Sequence, residues 1–339
     1  MSDLIVNGGK PLSGTITPSG NKNSVLPIFC ATLLTNEPVT LKNVPDITDL
    51  DKLVTFFRAQ GSQIEWNRDK GVMRVDHSTF RNALANDELP QDMRSTVLLY
   101  PALLHRLRQI TIHANTKGCT LGVREIDPHL DILRALGASV NQGDPLVIAL
   151  PAGFRGARHW LDYMSVTVTE NFAMAAALAK GSSTLMNAAS EPHVQDLANF
   201  LVSLGARIDG IGTNRLIIDG VERLSGGRYR IGPDYIEIAS FIGLAAITGS
   251  DLVIDDARPE DMRAILLGFG RLGIHVEWLP DGSLRVPPDQ SLEIVADEGG
   301  AIPKIDDGPW PAFPADLTSI ATAVATQARG EVMIFEKMF

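Results

Sequence analysis

Residues 176–208 read AALAKGSSTLMNAASEPHVQDLANFLVSLGARI. A small-residue helical run ends in a Lys-Gly turn, a short β-rich segment follows, and a polar turn leads into an amphipathic helix. In that helix Leu197, Phe200, Leu201 and Leu204 recur at helical period before the chain meets Gly205. The same grammar recurs at 30–66, 105–140 and 244–278, the second copy opening on a more basic stretch. The glycines that end the four amphipathic helices, Gly61, Gly137, Gly205 and Gly273, lie 76, 68 and 68 residues apart. Glycine suits a left-handed helix C-cap, the backbone state other residues adopt only at a cost. The chain is therefore a repeat of α/β modules, each with two helices and several strands, too long for the common solenoid units.

Alanine-rich runs such as Ala173–Ala179 predict helices buried nearly all round, because small side chains allow close packing. A fifth copy starts at DLTSIATAVATQARGEVMIFEKMF (316–339), with its small-residue helix and strand but no second helix. The expectation is an incomplete last module and a reading frame that is a fragment. Sharp Gly/Pro turns separate the copies, and Ser225–Ile231 marks a domain boundary after three of them.

A chain of 339 residues suits two domains, and 45% hydrophobic with 21% charged residues is a globular composition. The net charge of −10 argues against a nucleic-acid binder, which needs a basic stripe. The apolar runs are too short to cross a bilayer, and the first residues carry no signal-peptide pattern. Two cysteines without metal-ligand spacing predict a reducing, cytoplasmic setting.

Three stretches hold candidate chemistry. Lys117-Gly-Cys-Thr-Leu-Gly-Val-Arg-Glu-Ile-Asp-Pro-His129 sets a cysteine between two glycines and near Lys117 and Arg124, cations that favour its thiolate. Read alone, it is either a reactive thiol or a small packing residue. Ser19-Gly-Asn-Lys-Asn-Ser24 opens an apolar helix, so it offers either backbone N–H groups and Lys22 to an anion, or an ordinary N-cap with an exposed lysine. Arg94, in DMRST (92–96), stands at the entry to another apolar helix.

Together, GNKNSVLP (20–27), DMRST (92–96), GCTLGVREIDPH (118–129), SEPHVQDLANFLVSLGA (190–206) and PAFPADL (311–317) resemble the UDP-N-acetylglucosamine enolpyruvyl transferases, relatives of 5-enolpyruvylshikimate-3-phosphate synthase, over residues 1 to 339. The resemblance implies an α/β fold of two inside-out barrels built from βαβαββ modules. Domain 1 would span 21–230, and domain 2 residues 1–20 plus 231–339, with the active site in the cleft between them. It implies transfer of the enolpyruvyl group of phosphoenolpyruvate to the 3-hydroxyl of the sugar, with no metal or organic cofactor, no nucleic acid and no membrane. Cys119 is implied as general acid and fosfomycin target, and Asp316 as general base. Lys22, Arg94 and Arg124 are implied as phosphoenolpyruvate-binding, and Asn23, Arg94, Asp127, His129, Ser165, Val166 and Asp316 as UDP-sugar-binding. Read from the residues, Asp316 or Asp127 also suits a helix cap, and His129 also suits packing.

Tyr163, Thr167, His193 and Tyr235 depart from the family pattern, which has lysine, glycine, glutamate and arginine there. They motivate two other readings: an acceptor such as UMP, or a dead paralogue that still binds uridine nucleotide. Cys119→Asp is expected to retain turnover and to escape inactivation by fosfomycin, since a carboxylic acid donates a proton but attacks an epoxide poorly. Inactivation of that variant would overturn the assignment of Cys119.

Overall fold

The computed structural model describes residues 5–84, 89–90, 93–113, 126–143 and 145–338. They form two compact units, a larger one of Gly20–Gly232 and a smaller one of Met1–Ser19 with Pro233–Phe339. Each has its own hydrophobic core.

The larger unit holds three modules. The first runs α1 (Lys22–Ala31), strand Val39–Lys42, α2 (Thr48–Ala59), and strands Gln63–Asn67 and Val72–Asp76. The second enters through a 3-10 turn, Arg94–Leu98, into α3 (Leu99–Leu107), then strand Gln109–Ile112, α4 (Asp127–Ala135) and strands Ser139–Asn141 and Leu146–Ala149. The basic opening of the second repeat is thus the last turn of an apolar helix like the others. The third begins at strand Arg158–Trp160, followed by α5 (Val166–Ala177), strand Ser182–Met186, α6 (Pro192–Ser203) and strands Arg207–Asp209 and Arg215–Asp219.

The helices fall into two kinds. In α5 every residue from Val168 to Ala177 is buried, and Leu99 to Leu104 of α3 are buried likewise. Helices α2, α4 and α6 bury one stripe each, as in Leu50, Leu53, Val54 and Phe57 of α2. All four amphipathic helices of the repeat end alike. Gly61, Gly137, Gly205 and Gly273 have φ between 78° and 105°. The next residue donates its N–H five residues back in each case: Ser62 to Phe57, Ala138 to Leu133, Ala206 to Leu201 and Ile274 to Phe269. This Schellman closure needs the left-handed residue that glycine supplies cheaply.

Sheet pairing joins sequence-distant parts of each unit. Strand Gly227–Arg230, at the end of the larger unit, pairs in parallel with Val39–Lys42 near its start. In the smaller unit the N-terminal strand Ser13–Ile16 pairs in parallel with Asp251–Ile254. That unit continues through α7 (Tyr235–Thr248), α8 (Pro259–Arg271), an antiparallel pair Glu277–Trp278 and Leu284–Val286, and α9 (Thr318–Ala325). Strands Lys304–Asp306 and Met333–Phe335, on either side of α9, pair in parallel.

The chain passes between units at Ser19–Gly20 and again at Gly232–Pro233. Asn21 N–H donates to Gly232 O at 2.8 Å within the larger unit, and Ser19 N–H donates to Glu237 Oε2 at 2.9 Å within the smaller. Gly20 admits no side chain, because a Cβ there would lie 1.8 Å from Asn43 O. Gly20→Ala is expected to destabilise the larger unit by at least about 1–3 kcal/mol, the usual range for forced overpacking. Urea unfolding checks this, and a midpoint equal to wild type would overturn the steric reading.

Candidate functional site

Asn21 is buried at the N-cap of α1, and its Oδ1 accepts from Asn23 N at 2.8 Å and Ser24 N at 3.1 Å. Of the two readings of this turn, the capped one is what the fold shows: a strong N-cap residue already occupies two of those backbone N–H groups. What the turn presents is side chains, with Lys22 exposed and Asn23 half-buried on the first turn.

The start of α5 is different. Ser165 stands at its N-cap position but makes no side-chain capping bond. Among the described residues the N–H groups of Val166, Thr167 and Val168 have no acceptor. The positive end of a twelve-residue helix is thereby left open at Ser165 and Val166.

Asp127 is exposed as the first residue of α4, where Gln142 Nε2 donates to its Oδ1 at 3.4 Å. The N-cap position belongs to Ile126, so Asp127 does not cap the helix. His129, one turn on, is turned inward. Its Nδ1 lies 2.9 Å from Asn171 Nδ2 and its Nε2 3.3 Å from Thr167 Oγ1, and burial pushes its pKa down to about 4. The imidazole therefore packs and bonds inside the unit, the packing role its residue type also suited. Arg94 opens the 3-10 turn that packs on α1 and α5. Cys119 and Arg124 lie outside the described residues.

Asp316 belongs to the smaller unit, in the 3-10 turn Ala315–Leu317. Phe313 and Leu317 on either side of it are buried, with the Phe313 ring 6.2 Å from that of Phe269. Anchors before and after hold the carboxylate exposed between them. The alternative that Asp316 caps a helix fails, since α9 has Leu317 at its N-cap and no capping side chain.

Helix packing thus draws the elements of Lys22, Asn23, Arg94, Asp127, Ser165 and Val166 together in one unit, while Asp316 stands in the other. The motifs did not reveal a polar run, Thr169-Glu170-Asn171, inside the otherwise apolar α5. Glu170 is fully buried, and burial first, then the charge of Glu191, hold its pKa well above the carboxylate range. The signal was present: polar residues on a helix without a polar face need partners inside the protein. Two of the four departures also have internal roles. Thr167 bonds His129, and Tyr235 is buried with its ring 5.8 Å from that of Trp310. His193 is buried in α6, and Tyr163 is exposed. Among the described residues no group of three or more His, Cys, Asp or Glu could hold a metal ion, and no helix is long and apolar enough to cross a membrane.

Comparison with known proteins agrees with this architecture. The family described as EPSP synthase (3-phosphoshikimate 1-carboxyvinyltransferase) matches residues 6–339. The UDP-N-acetylglucosamine 1-carboxyvinyltransferase of Bradyrhizobium diazoefficiens is 49% identical over 335 residues, covering 99% of this chain and 77% of that protein. Its namesake from Treponema denticola is 44% identical over 340 residues, covering 100% and 79%. Among solved structures, the enolpyruvyl transferase NikO from Streptomyces tendae superposes with a TM-score of 0.81 at 20% identity, covering 97% of this chain and 76% of that one. EPSP synthase from Acinetobacter baumannii gives 0.72 at 18% identity, covering 97% and 75%. These two likenesses are of fold. The chain belongs to the EPSP synthase family of carboxyvinyl (enolpyruvyl) transferases, and within it to the UDP-N-acetylglucosamine 1-carboxyvinyltransferases.

Four histidines of the larger unit are held neutral, the pKa of buried His77 down to about 3 and those of half-buried His105 and buried His129 and His193 down to about 4, each mainly by desolvation. Between these values and the ordinary 6.5 the unfolded chain binds more protons than the folded one, so stability rises with pH there. Stability of the larger unit is expected to be complete above about pH 6.5 and to fall as pH drops toward 4. Urea midpoints measured against pH check this, and a flat profile across that window would overturn it.

Proposed function

We propose that this protein transfers the enolpyruvyl group of phosphoenolpyruvate to the 3-hydroxyl of UDP-N-acetylglucosamine and releases phosphate, the entry step of peptidoglycan synthesis. The observation that carries the reading is 49% identity to a UDP-N-acetylglucosamine 1-carboxyvinyltransferase across 99% of this chain. Roles follow from the chemistry. The sugar oxygen attacks C2 of phosphoenolpyruvate while C3 gains a proton, giving a tetrahedral adduct. Loss of a C3 proton and cleavage of the bond to phosphate oxygen then restore the vinyl group. Cys119 is the proton donor to C3, and Asp316 accepts the hydroxyl proton.

Lys22, Arg94 and Arg124 supply positive charge to a small, dense anion. Asn23 holds the sugar hydroxyl, and the open start of α5 at Ser165 and Val166 suits the diphosphate, an anion at a helix N-terminus. Asp127 and the backbone through His129 serve the uracil. The substrates are charged metabolites of the cell interior, so the reading places the protein in the cytoplasm. An acceptor other than the UDP-sugar has less support, because Thr167 and Tyr235, two of the departures that suggested it, are engaged in internal contacts.

Phosphate release from phosphoenolpyruvate tests the reading, with UDP-N-acetylglucosamine, UMP or no acceptor supplied. Release with the UDP-sugar alone is expected. Release only with UMP, or binding of UDP-N-acetylglucosamine without turnover, would overturn it.

A further inference from the structure

Asn171 is fully buried in α5, and its side-chain nitrogen is shared between two neighbouring elements. Nδ2 donates to Val97 O at 2.9 Å, in the turn that Arg94 opens, and lies 2.9 Å from His129 Nδ1, in the helix that Asp127 opens. The amide has one workable orientation, since exchanging its ends would set two oxygens against each other at Val97. One Nδ2 hydrogen goes to Val97 and the other to His129, so Nδ1 of the ring is the acceptor. The ring proton is then on Nε2, which donates to Thr167 Oγ1 at 3.3 Å. Thr167 and Asn171 are four residues apart on one face of α5 and grip the imidazole between them. Thr169, between them in sequence, accepts Ala189 N–H at 3.0 Å and donates to Ser165 O at 2.7 Å, tying the loop before α6 to the start of α5. Among the described residues Asn171 Oδ1 has no partner although buried. Leaving an acceptor unmet costs stability, so the residue is poorly accounted for by packing alone.

We propose that Asn171 is a positioning residue for the substrate site: its two donated hydrogen bonds set the turn of Arg94 and the helix of Asp127 against the open end of α5 at Ser165 and Val166. The proposal rests on the functional reading above for what the site binds, and on the bonds themselves for how it is held. Neither ring nitrogen of His129 is left for a ligand, so the histidine acts through this junction. Its neutral form is required, because a proton on Nδ1 would meet the Asn171 donor head-on.

The test compares Asn171→Asp, His129→Asn and His129→Leu with Ser62→Ala, which removes a partner of a different buried histidine, His77, at 2.6 Å. Asn171→Asp keeps size and removes both donors. It is expected to raise KM for UDP-N-acetylglucosamine about tenfold, the equivalent of one lost hydrogen bond, with a smaller change in kcat. His129→Asn puts an amide oxygen in the place of Nδ1 and is expected to keep KM within about threefold of wild type, whereas His129→Leu behaves like Asn171→Asp. Ser62→Ala is expected to lower the melting temperature and leave KM unchanged. In the wild-type protein, nitrogen NMR is expected to show His129 bare at Nδ1 and protonated at Nε2. The opposite tautomer, or a wild-type KM in Asn171→Asp, would overturn the proposal. If wild-type protein fails to turn over the UDP-sugar, the functional reading falls; faster amide exchange at 94–98 in Asn171→Asp then still supports the junction, and unchanged exchange sinks it.

Discussion

Helices α1, α3 and α5 are buried in the larger unit, and that burial constrains nearly everything else about it. A helix without a solvent face excludes polar side chains along its length unless each finds an internal partner. Small residues fill α5, with Ala173 and Ala175 to Ala177 within a few per cent of complete burial. The backbone polar groups along such a helix are satisfied by its own ladder, so only the ends have hydrogen-bonding capacity to offer. Candidate chemistry gathers at the starts of buried helices for this reason: Lys22 and Asn23 on α1, Ser165 and Val166 on α5.

Those starts are built for different purposes. The first turn of α1 is capped internally by Asn21, which makes it a rigid mount for two side chains. The first turn of α5 has no side-chain cap, so its backbone N–H groups are left open. Rigidity there comes from below, through Thr167, Thr169 and Asn171, each bonded to a different neighbouring element or to the helix start. With no capping side chain at this end, the buried polar turn holds the helix start instead.

Much of this fold was legible in the chain. The spacing of Gly61, Gly137, Gly205 and Gly273 marked the repeat, and all four occupy the left-handed closure that the pattern implied. Local chemistry decides a helix end, so a local reading suffices. The pairing of Gly227–Arg230 with Val39–Lys42 was not legible. Those strands are almost 190 residues apart in sequence, and no periodicity relates them. The same limit applied at the site. GNKN read equally as an anion turn or an ordinary N-cap, because the sequence does not say whether Asn21 points outward or back onto Asn23 and Ser24. His129 followed a candidate loop closely enough to be counted with it, whereas its ring is committed to Thr167 and Asn171, about forty residues ahead.

By itself the sequence determined the module, its repetition and the identity of the buried helices. These follow from side-chain period, glycine placement and the chemistry of individual groups, all short-range properties. Tertiary structure alone decided which polar groups are already satisfied. Asn21, Thr167, Asn171 and His129 look like available donors and acceptors in one dimension, and packing makes them one another's partners or those of nearby backbone. Exposed Lys22 and Asp316, and the uncapped start of α5, are what packing leaves outward. The physical reason is that a hydrogen-bonding group is defined by its surroundings: burial forces it to find a partner, and only the folded chain says which one.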